Sequence, residues 1–196
     1  MKLLFVNCCI SQRGDKSRTM ALCRAFLDAF SSAHPEAEIC EEDIRDKDIR
    51  CFDRKMLDER DGLAEQGSFD DPAYDLARRF READKIVIEA PLWDMMFPAR
   101  LRAYAEHISA NGLCYHYAED GCHGDCRGTH LAYLTSAGDF EQEECVPAIF
   151  WRQLSAMFGI EKFDYVFAGG VDITPELENS QMEKALKAAA ELGRDF

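Results

Sequence analysis

Basic and hydroxyl-bearing residues gather in one short segment near the N-terminus, residues 8–19, which reads CCISQRGDKSRT. Arg13, Lys16 and Arg18 fall close together in a chain that is acidic overall, and Ser17 stands where a helical pattern begins. A helix N-terminus offers free N–H groups and the positive end of the helix dipole, so this segment predicts a phosphate site. It matches neither Gly-x4-Gly-Lys-Ser/Thr nor Gly-x-Gly-x-x-Gly, which disfavours a nucleoside triphosphatase and a dinucleotide-binding fold. The alternative is a capped surface loop with incidental basic residues.

A second segment, PLWDMMFP at residues 91–98, carries bulky side chains where a loop after a strand would usually have glycine, asparagine or serine. Trp93, Met95, Met96 and Phe97 could form flat, polarisable walls for a planar ring. For any one of them, a place in the core is the more ordinary interpretation. Four together favour a wall for a ligand.

A third segment, LTSAGDF at residues 134–140, follows another apolar run. Its small residues would let backbone N–H groups approach a ligand closely, and Thr135 and Ser136 supply hydroxyl groups. A phosphate cradle, an apolar wall and a small polar loop around one crevice predict a mononucleotide with a large planar ring as the ligand.

Five apolar runs must position these loops, and helical patterns lie between them. The runs are residues 2–9, 36–44, 85–92, 130–138 and 162–171. The alternation predicts parallel strands joined by right-handed crossovers, in an α/β sandwich with the strand order 2-1-3-4-5. The first, third and fifth runs are almost continuously apolar, as in strands covered on both faces, whereas the second alternates as an edge strand does. Ligands bind such a sheet beyond the carboxyl ends of its strands, where the three loops would meet.

The helix boundaries follow from caps and breakers. Ser17 is a good N-cap, and Pro72 and Pro98 suit the first helical position. Gly112 would stop the helix that begins at Pro98. Two further helices are predicted at residues 145–160 and 174–192. The highly charged residues 45–71 are predicted to be a solvated connection with a short helix, or else a cover over the substrate pocket.

The composition describes a single domain, residues 1–196, with 47% apolar and 31% charged residues. The formal net charge of -14 argues against nucleic acid and anionic membranes as partners, because both are polyanions. No apolar run reaches the roughly 18 residues of a membrane span, and no cleavage site follows the N-terminal apolar run. Nine cysteines, an odd number, without a signal peptide predict free thiols in a cytoplasmic protein.

A cysteine-rich segment, CYHYAEDGCHGDC, contains Cys114, Cys122 and Cys126 with His116 and His123 close by. Thiols near histidines could bind zinc, but the Cys-x-x-Cys spacing and a second ligand pair at finger spacing are absent from the sequence. An oxidisable thiol pair and ordinary loop cysteines are the other interpretations. No metal site is assigned.

Over nearly its whole length the chain resembles the flavodoxin-like FMN-dependent NAD(P)H:quinone oxidoreductases, which include the bacterial azoreductases. The resemblance rests on CISQRGDKSRT, IVIEAPLWDMMFPARLRAY, LTSAGD and FWRQLSAMFGIEKFDYVFAGGV. The Pro-Leu-aromatic loop followed by Pro-Ala-x-Leu-Arg is the most specific of these marks. The resemblance implies a flavodoxin-like three-layer sandwich with FMN as its cofactor.

In that family three loops hold the FMN, and the resemblance carries their roles to the matching positions of this chain. The loop for the phosphate corresponds to Lys16, Ser17 and Arg18. The loop for the isoalloxazine ring and ribityl chain corresponds to Pro91, Leu92, Trp93, Asp94 and Met95. The loop at the ring edge corresponds to Thr135, Ser136, Ala137 and Gly138.

The resemblance also implies a reaction and partners. NADH or NADPH would give a hydride to the flavin, and two electrons would pass to a quinone or an azo compound. Members of the family are usually homodimers in which the partner completes each active site. No catalytic side chain is assigned, although His116 or His130 could lie near the pocket. The alternatives are a flavodoxin-type electron carrier and a flavin-free module that uses its cysteines to sense metal or redox state.

The chain departs from the family pattern at several positions. Asp94 stands where the family often has asparagine or an aromatic residue, Asp139 replaces a second glycine, and Cys8 and Cys9 replace serines. An ionised Asp94 about 6 Å from the ring would lower the midpoint potential of the flavin by about 60 mV. The alternative is that Asp94 points to solvent and only its backbone meets the flavin.

Overall fold

A five-stranded parallel sheet forms the centre of the protein in a computed structural model that describes residues 1–11, 13–139 and 144–196. Its strands are β1 (Lys2–Asn7), β2 (Glu38–Asp43), β3 (Lys85–Glu89), β6 (His130–Ser136) and β7 (Lys162–Ala168). The spatial order is β2-β1-β3-β6-β7, with every neighbouring pair parallel. Counted within this sheet, the order is 2-1-3-4-5, so the predicted fold class is confirmed. Each strand ends earlier than its apolar run, because the last residues of each run already belong to the loops.

Helices cover both faces of the sheet. They are α1 (Arg18–Ala33), α2 (Arg54–Glu65), α3 (Asp75–Glu82), α4 (Ala99–Ile108), α5 (Val146–Met157) and α6 (Pro175–Asp195). The core has two layers, because successive side chains of a strand point to opposite faces. Val87 packs with α1 and α6, whereas Ile86 and Ile88 pack with α3, α4 and α5. Along the described ranges, none of the helices combines the length and apolarity that a membrane span requires.

Strand burial corrects one sequence-based prediction. β2 is an edge strand, as its alternating pattern predicts. β7 is the opposite edge, and its first residues are exposed or half-buried, so the fifth run is not covered on both faces. β6 is the strand that is buried along its whole length.

Helix starts agree with the sequence better than helix ends do. Ser17 caps α1, and its hydroxyl accepts the N–H of Met20 at 3.3 Å. Pro72 begins a short 3-10 turn, Pro72–Tyr74, which leads into α3. The helix after Pro98 ends at Ile108 and not at Gly112. The charged connection contains α2, which buries no side chain fully, so the predicted short helix in a solvated segment is confirmed.

A β-hairpin that the sequence patterns did not predict occupies the cysteine-rich segment. Its strands are β4 (Tyr115–Ala118) and β5 (Gly121–Gly124), paired antiparallel. Nearly all of its residues are exposed, so an alternation of apolar and polar side chains, the usual signal of a half-buried strand, is missing. The described residues therefore hold seven strands, five in the main sheet and two in the hairpin.

Candidate cofactor site

A cavity of about 190 Å³ opens at the carboxyl edge of the sheet, where the loops after β1, β3 and β6 meet as predicted. The residues that line it are Cys9, Ser11, Arg13, Ser17, Arg18, Thr19, Pro91, Leu92, Trp93, Ser136, Ala137, Gly138, Val171 and Asp172. The last two come from a fourth loop, after β7, to which the sequence analysis assigned no role in the site. Arg13 and Thr19 belong to the segment that predicts a phosphate site, whereas Cys9 was not assigned to the site.

The start of α1 provides the polar end of the cavity. The Ser17 hydroxyl accepts from the N–H of Met20 and donates to the sulfur of Cys9 at 3.9 Å. Helix geometry leaves the N–H groups of Arg18 and Thr19 without acceptors inside the helix. The hydroxyl of Thr19 lies 2.7 Å from that of Ser136 in a buried contact, which ties α1 to the end of β6. This end of the cavity can therefore accept an anion with oxygen atoms.

Two of the predicted phosphate residues are placed differently from Ser17. The guanidinium of Arg18 donates to Glu178 at 2.6 Å and to Asp172 at 2.7 Å, and these bonds, that of Glu178 foremost, raise the pKa of Arg18. Its charge is thus already paired, although the residue lines the cavity. Lys16 is exposed and lines a wider neighbouring depression of about 870 Å³. Of the three, Ser17 is the residue best placed to meet a phosphate directly.

Residues 91–98, the loop after β3, divide into a wall of the cavity, the tip of a turn and a residue that is buried in the core. Pro91, Leu92 and Trp93 line the cavity, and Trp93 remains 43% exposed. Phe97 is buried against Phe150, with ring centroids 5.2 Å apart. The ordinary interpretation, a place in the core, therefore holds for Phe97 and not for Trp93.

The tip of this loop has unusual backbone geometry. Asp94 and Met95 both have positive φ, 49° and 65°, between two backbone hydrogen bonds that join Trp93 and Met96. Such a turn favours asparagine, aspartate and glycine, so the strain falls mainly on Met95. Met95 is 63% exposed, and neither Asp94 nor Met95, which the resemblance assigns to the flavin, lines the cavity of the single chain. The strained turn orients Trp93 at the mouth of the cavity.

The loop after β6 closes the opposite side. Ser136, Ala137 and Gly138 line the cavity, whereas Thr135 is fully buried and does not. A Cβ atom at Gly138 would lie 2.5 Å from the Asp172 carboxylate, so glycine allows the fourth loop to approach. Phe140, the last residue of the predicted segment, lies outside the described residues.

A buried acid lies beneath the cavity floor. Glu89, the last residue of β3, is 0% exposed, and burial raises its pKa to about 7. Burial also raises the pKa of the Cys9 thiol, which lines the cavity above it. The sequence did carry a signal for Glu89, namely one acid at the end of the otherwise apolar run IVIEAPL.

The histidines and the cysteine-rich hairpin lie away from this cavity. His130 is at the amino end of β6 and donates to Asp164 at 2.5 Å. His116 donates to Asp125 within the hairpin region at 2.7 Å. Neither lines the cavity, so the expectation that one of them lies near the pocket is wrong.

The three hairpin cysteines do not converge as metal ligands. Cys114 is buried, Cys126 is half-buried, and Cys122 is exposed. In the part of the chain that the structure describes, no group of three histidine, cysteine or acidic side chains could hold a metal ion. The zinc interpretation therefore has no geometric support among these residues.

The residues present fit an FMN molecule. A capped helix start suits its phosphate, Trp93 and Leu92 suit an aromatic ring, and Gly138 leaves room for close approach of the backbone. A parallel sheet in the order 2-1-3-4-5 with such a loop after its first strand defines a flavodoxin-like protein. The family described as Flavodoxin-like fold matches residues 1–192, and the chain belongs to this family.

Comparison with known proteins identifies similar sequences and structures. The chain is 30% identical to an FMN-dependent NADH:quinone oxidoreductase of Clostridium beijerinckii, over 100% of this chain and 99% of the relative. It is 27% identical to a protein of the same name from Coprothermobacter proteolyticus, again over 100% and 99%. An azoreductase structure from Bacillus anthracis str. Sterne has a TM-score of 0.88 at 23% identity, covering 100% of both chains. An FMN-dependent NADH-azoreductase from Bacillus anthracis str. Ames Ancestor, solved in complex with FMN, has a TM-score of 0.80 at 18% identity, covering 98% and 99%. At these identities the two structures show the shared fold.

Proposed function

We propose that the protein is an FMN-dependent oxidoreductase that passes two electrons from NADH to a quinone or an azo compound. The observation that carries this proposal is the cavity that joins a capped helix start to an indole wall at the carboxyl edge of the sheet. The relatives support the reaction, because they are named FMN-dependent NADH:quinone oxidoreductases. Their names also favour NADH over NADPH as the donor.

We assign the cofactor contacts to the residues that line this cavity. Ser17 and the N–H groups that begin α1 would hold the phosphate, and the backbone around Gly138 would meet the ring edge. Leu92 and Trp93 would cover one side of the ring and exclude water. We propose no direct side-chain contact with FMN for Lys16, Asp94, Met95 or Thr135. When bound, FMN would supply the two-electron chemistry, and the protein would orient it.

We further propose a cytoplasmic homodimer. Two apolar side chains of the loop after β3 are exposed in the single chain, Trp93, which lines the cavity, and Met95 at the tip of the turn. A second copy placed over this loop would cover them and complete the binding site for the acceptor. The described cysteines are all free, which suits a reducing compartment.

The phosphate assignment is tested by comparing FMN, riboflavin and FAD as ligands of the purified protein. We expect FMN to bind with a stoichiometry of one per chain, and riboflavin to bind at least about tenfold more weakly because a charged hydrogen bond is lost. FAD should not bind more tightly than FMN, because the loop lacks a dinucleotide fingerprint. Equal affinity for FMN and riboflavin would show that the phosphate does not bind at the start of α1. Failure to bind any flavin would refute the proposed function.

A further inference from the structure

The acid below the cavity is in an unusual environment. Glu89 ends the central strand β3, and neither of its carboxyl oxygens has a hydrogen-bond partner among the described residues. A buried carboxylate normally requires a cation or several N–H donors. The side chains that act on Glu89 most closely are the thiols of Cys9 and Cys23, which are weak donors. Such a site holds a neutral carboxylic acid more easily than a carboxylate.

The titratable groups that act most strongly on this acid lie on the neighbouring elements. The elements packed against it contribute Cys9 after β1, Cys23 on α1, Glu41 on β2 and Arg45 after β2. Arg45 donates to both oxygens of Asp43, at 2.9 and 2.6 Å. Glu41 is exposed and accepts from the amide of Asn7 at 2.9 Å. No basic side chain among the described residues forms an ion pair with Glu89.

One side chain connects this acid to the phosphate end of the cavity. The sulfur of Cys9 accepts from the Ser17 hydroxyl at 3.9 Å, lines the cavity and lies next to the carboxyl of Glu89. Ser17 is the residue assigned to the FMN phosphate. Cys9 therefore lies between Glu89 and the group that binds the phosphate. A change in the charge of Glu89 acts on the phosphate site through an interior where water screens charges poorly.

We propose that Glu89 is a positioning residue whose proton controls how tightly the phosphate of the cofactor is held. With its proton, Glu89 leaves the floor of the phosphate site neutral. Without it, a buried negative charge opposes the phosphate. This inference rests on the proposed function, because it requires FMN at this cavity.

The charge of Glu89 should change within the physiological range, because burial raises its pKa to about 7. A phosphate monoester loses its second proton near pH 6, and its greater charge then favours binding at a helix start. Ionisation of Glu89 acts in the opposite direction at higher pH. The two effects can be separated, because only the second is removed when Glu89 becomes glutamine.

The test is the FMN dissociation constant measured between about pH 6.5 and pH 8.5 for the wild type, Glu89→Gln and Glu41→Gln. Glu41→Gln controls for the loss of a nearby negative charge, because Glu41 is an exposed acid that acts on Glu89 from β2. We expect the wild type and Glu41→Gln to lose about tenfold in affinity over this range, equivalent to coupling of one pKa unit. Glu89→Gln should show no such loss. The same loss in all three proteins, or in none, would overturn the inference.

Calorimetry of FMN binding to the wild type provides a second test that does not depend on the folding of a variant. In buffers of different ionisation enthalpy near pH 7.5, FMN binding should take up about half a proton, because the bound phosphate favours protonated Glu89. Binding of FMN without proton uptake would refute the role of Glu89 and leave the proposed function intact. No binding of FMN would refute the proposed function itself.

Discussion

Two acids at opposite edges of the same sheet, Asp84 and Glu89, have opposite environments. At the amino edge, Asp84 accepts the backbone N–H of Lys2 at 2.7 Å and the side chain of Arg127 at 2.6 Å. His130, at the same edge, is paired with Asp164. At the carboxyl edge, Glu89 is buried with no such partner among the described residues. The strands are continuous between the edges, so the contrast arises from the different loops and helices that meet at each edge.

This contrast separates groups that stabilise the fold from groups arranged for a ligand. Paired charges at the amino edge contribute modest stability and leave nothing for another molecule to satisfy. At the carboxyl edge, a buried acid and the strained turn at Asp94 and Met95 cost stability in the free protein. Such costs concentrate where a protein binds and reacts. Substitutions of Glu89 and Asp84 should therefore differ in the sign of their effect on stability, and only substitutions at the carboxyl edge should change flavin binding.

The largest expected effect is on the stability of the flavin-free protein when Glu89 is replaced by glutamine. The pKa of Glu89 is raised from 4.5 to about 7, so the folded state keeps a proton that the unfolded state loses in this range. The stabilisation that protonated Glu89 contributes is therefore fully present below pH 4.5 and is lost as the pH rises through 7. The loss lowers the free energy of unfolding by about 3 kcal/mol. At pH 8, Glu89→Gln should be more stable than the wild type by up to about that amount. Denaturant unfolding at pH 5 and pH 8 measures this difference, and Glu41→Gln is the control. A wild-type pH slope that Glu89→Gln retains would contradict the prediction.

Replacing Ser17 by alanine should weaken FMN binding. The substitution removes a hydroxyl donor to a charged group, an effect of roughly 1.5–3 kcal/mol, or about tenfold or more in affinity. It also removes the cap of α1, which lowers the free energy of unfolding by about 1 kcal/mol. Ser32→Ala is a matched control, because Ser32 is an exposed serine on the same helix. Flavin titration of folded protein separates the two effects, and an unchanged dissociation constant would place the phosphate elsewhere.

At the amino edge, Asp84→Asn should lower the stability of the protein and leave its affinity for FMN unchanged. Loss of the charged acceptor for Lys2 and Arg127 should lower the free energy of unfolding by about 1 kcal/mol, since the pair is partly exposed. The FMN dissociation constant should not change, because Asp84 lies at the other end of the sheet. A weaker affinity for FMN in this variant would show that the two edges are coupled. It would contradict the separation of stabilising groups from ligand-binding groups.

The smallest expected effect is that of Asp94→Asn on the midpoint potential of bound flavin. The sequence alone allows a shift of about 60 mV if the carboxylate lies near the ring. Asp94 is exposed at the tip of its turn and does not line the cavity, so solvent should screen its charge. Spectroelectrochemical titration should therefore give a shift below about 10 mV. A shift of several tens of millivolts would show instead that the Asp94 carboxylate lies near the ring.

The parts of the site that the sequence predicts are those defined by short-range patterns. Ser17 is recognised as a cap because the signal lies within a few residues, and strand order follows from alternating apolar segments. The approach of Asp172 to Gly138 joins residues far apart in the chain, and no local pattern contains it. The left-handed turn at Asp94 and Met95 is not predicted from the sequence, because methionine, unlike aspartate, is not a residue that favours such a turn.

The most direct test of the central claim is the visible spectrum of the protein loaded with FMN, recorded without oxygen before and after NADH is added. We predict that NADH removes the absorbance band of oxidised flavin and that a quinone then restores it. A flavodoxin-type electron carrier would hold FMN and remain oxidised in the presence of NADH. Bound FMN that NADH does not reduce, or a protein that stays colourless after incubation with FMN, would contradict the proposed function.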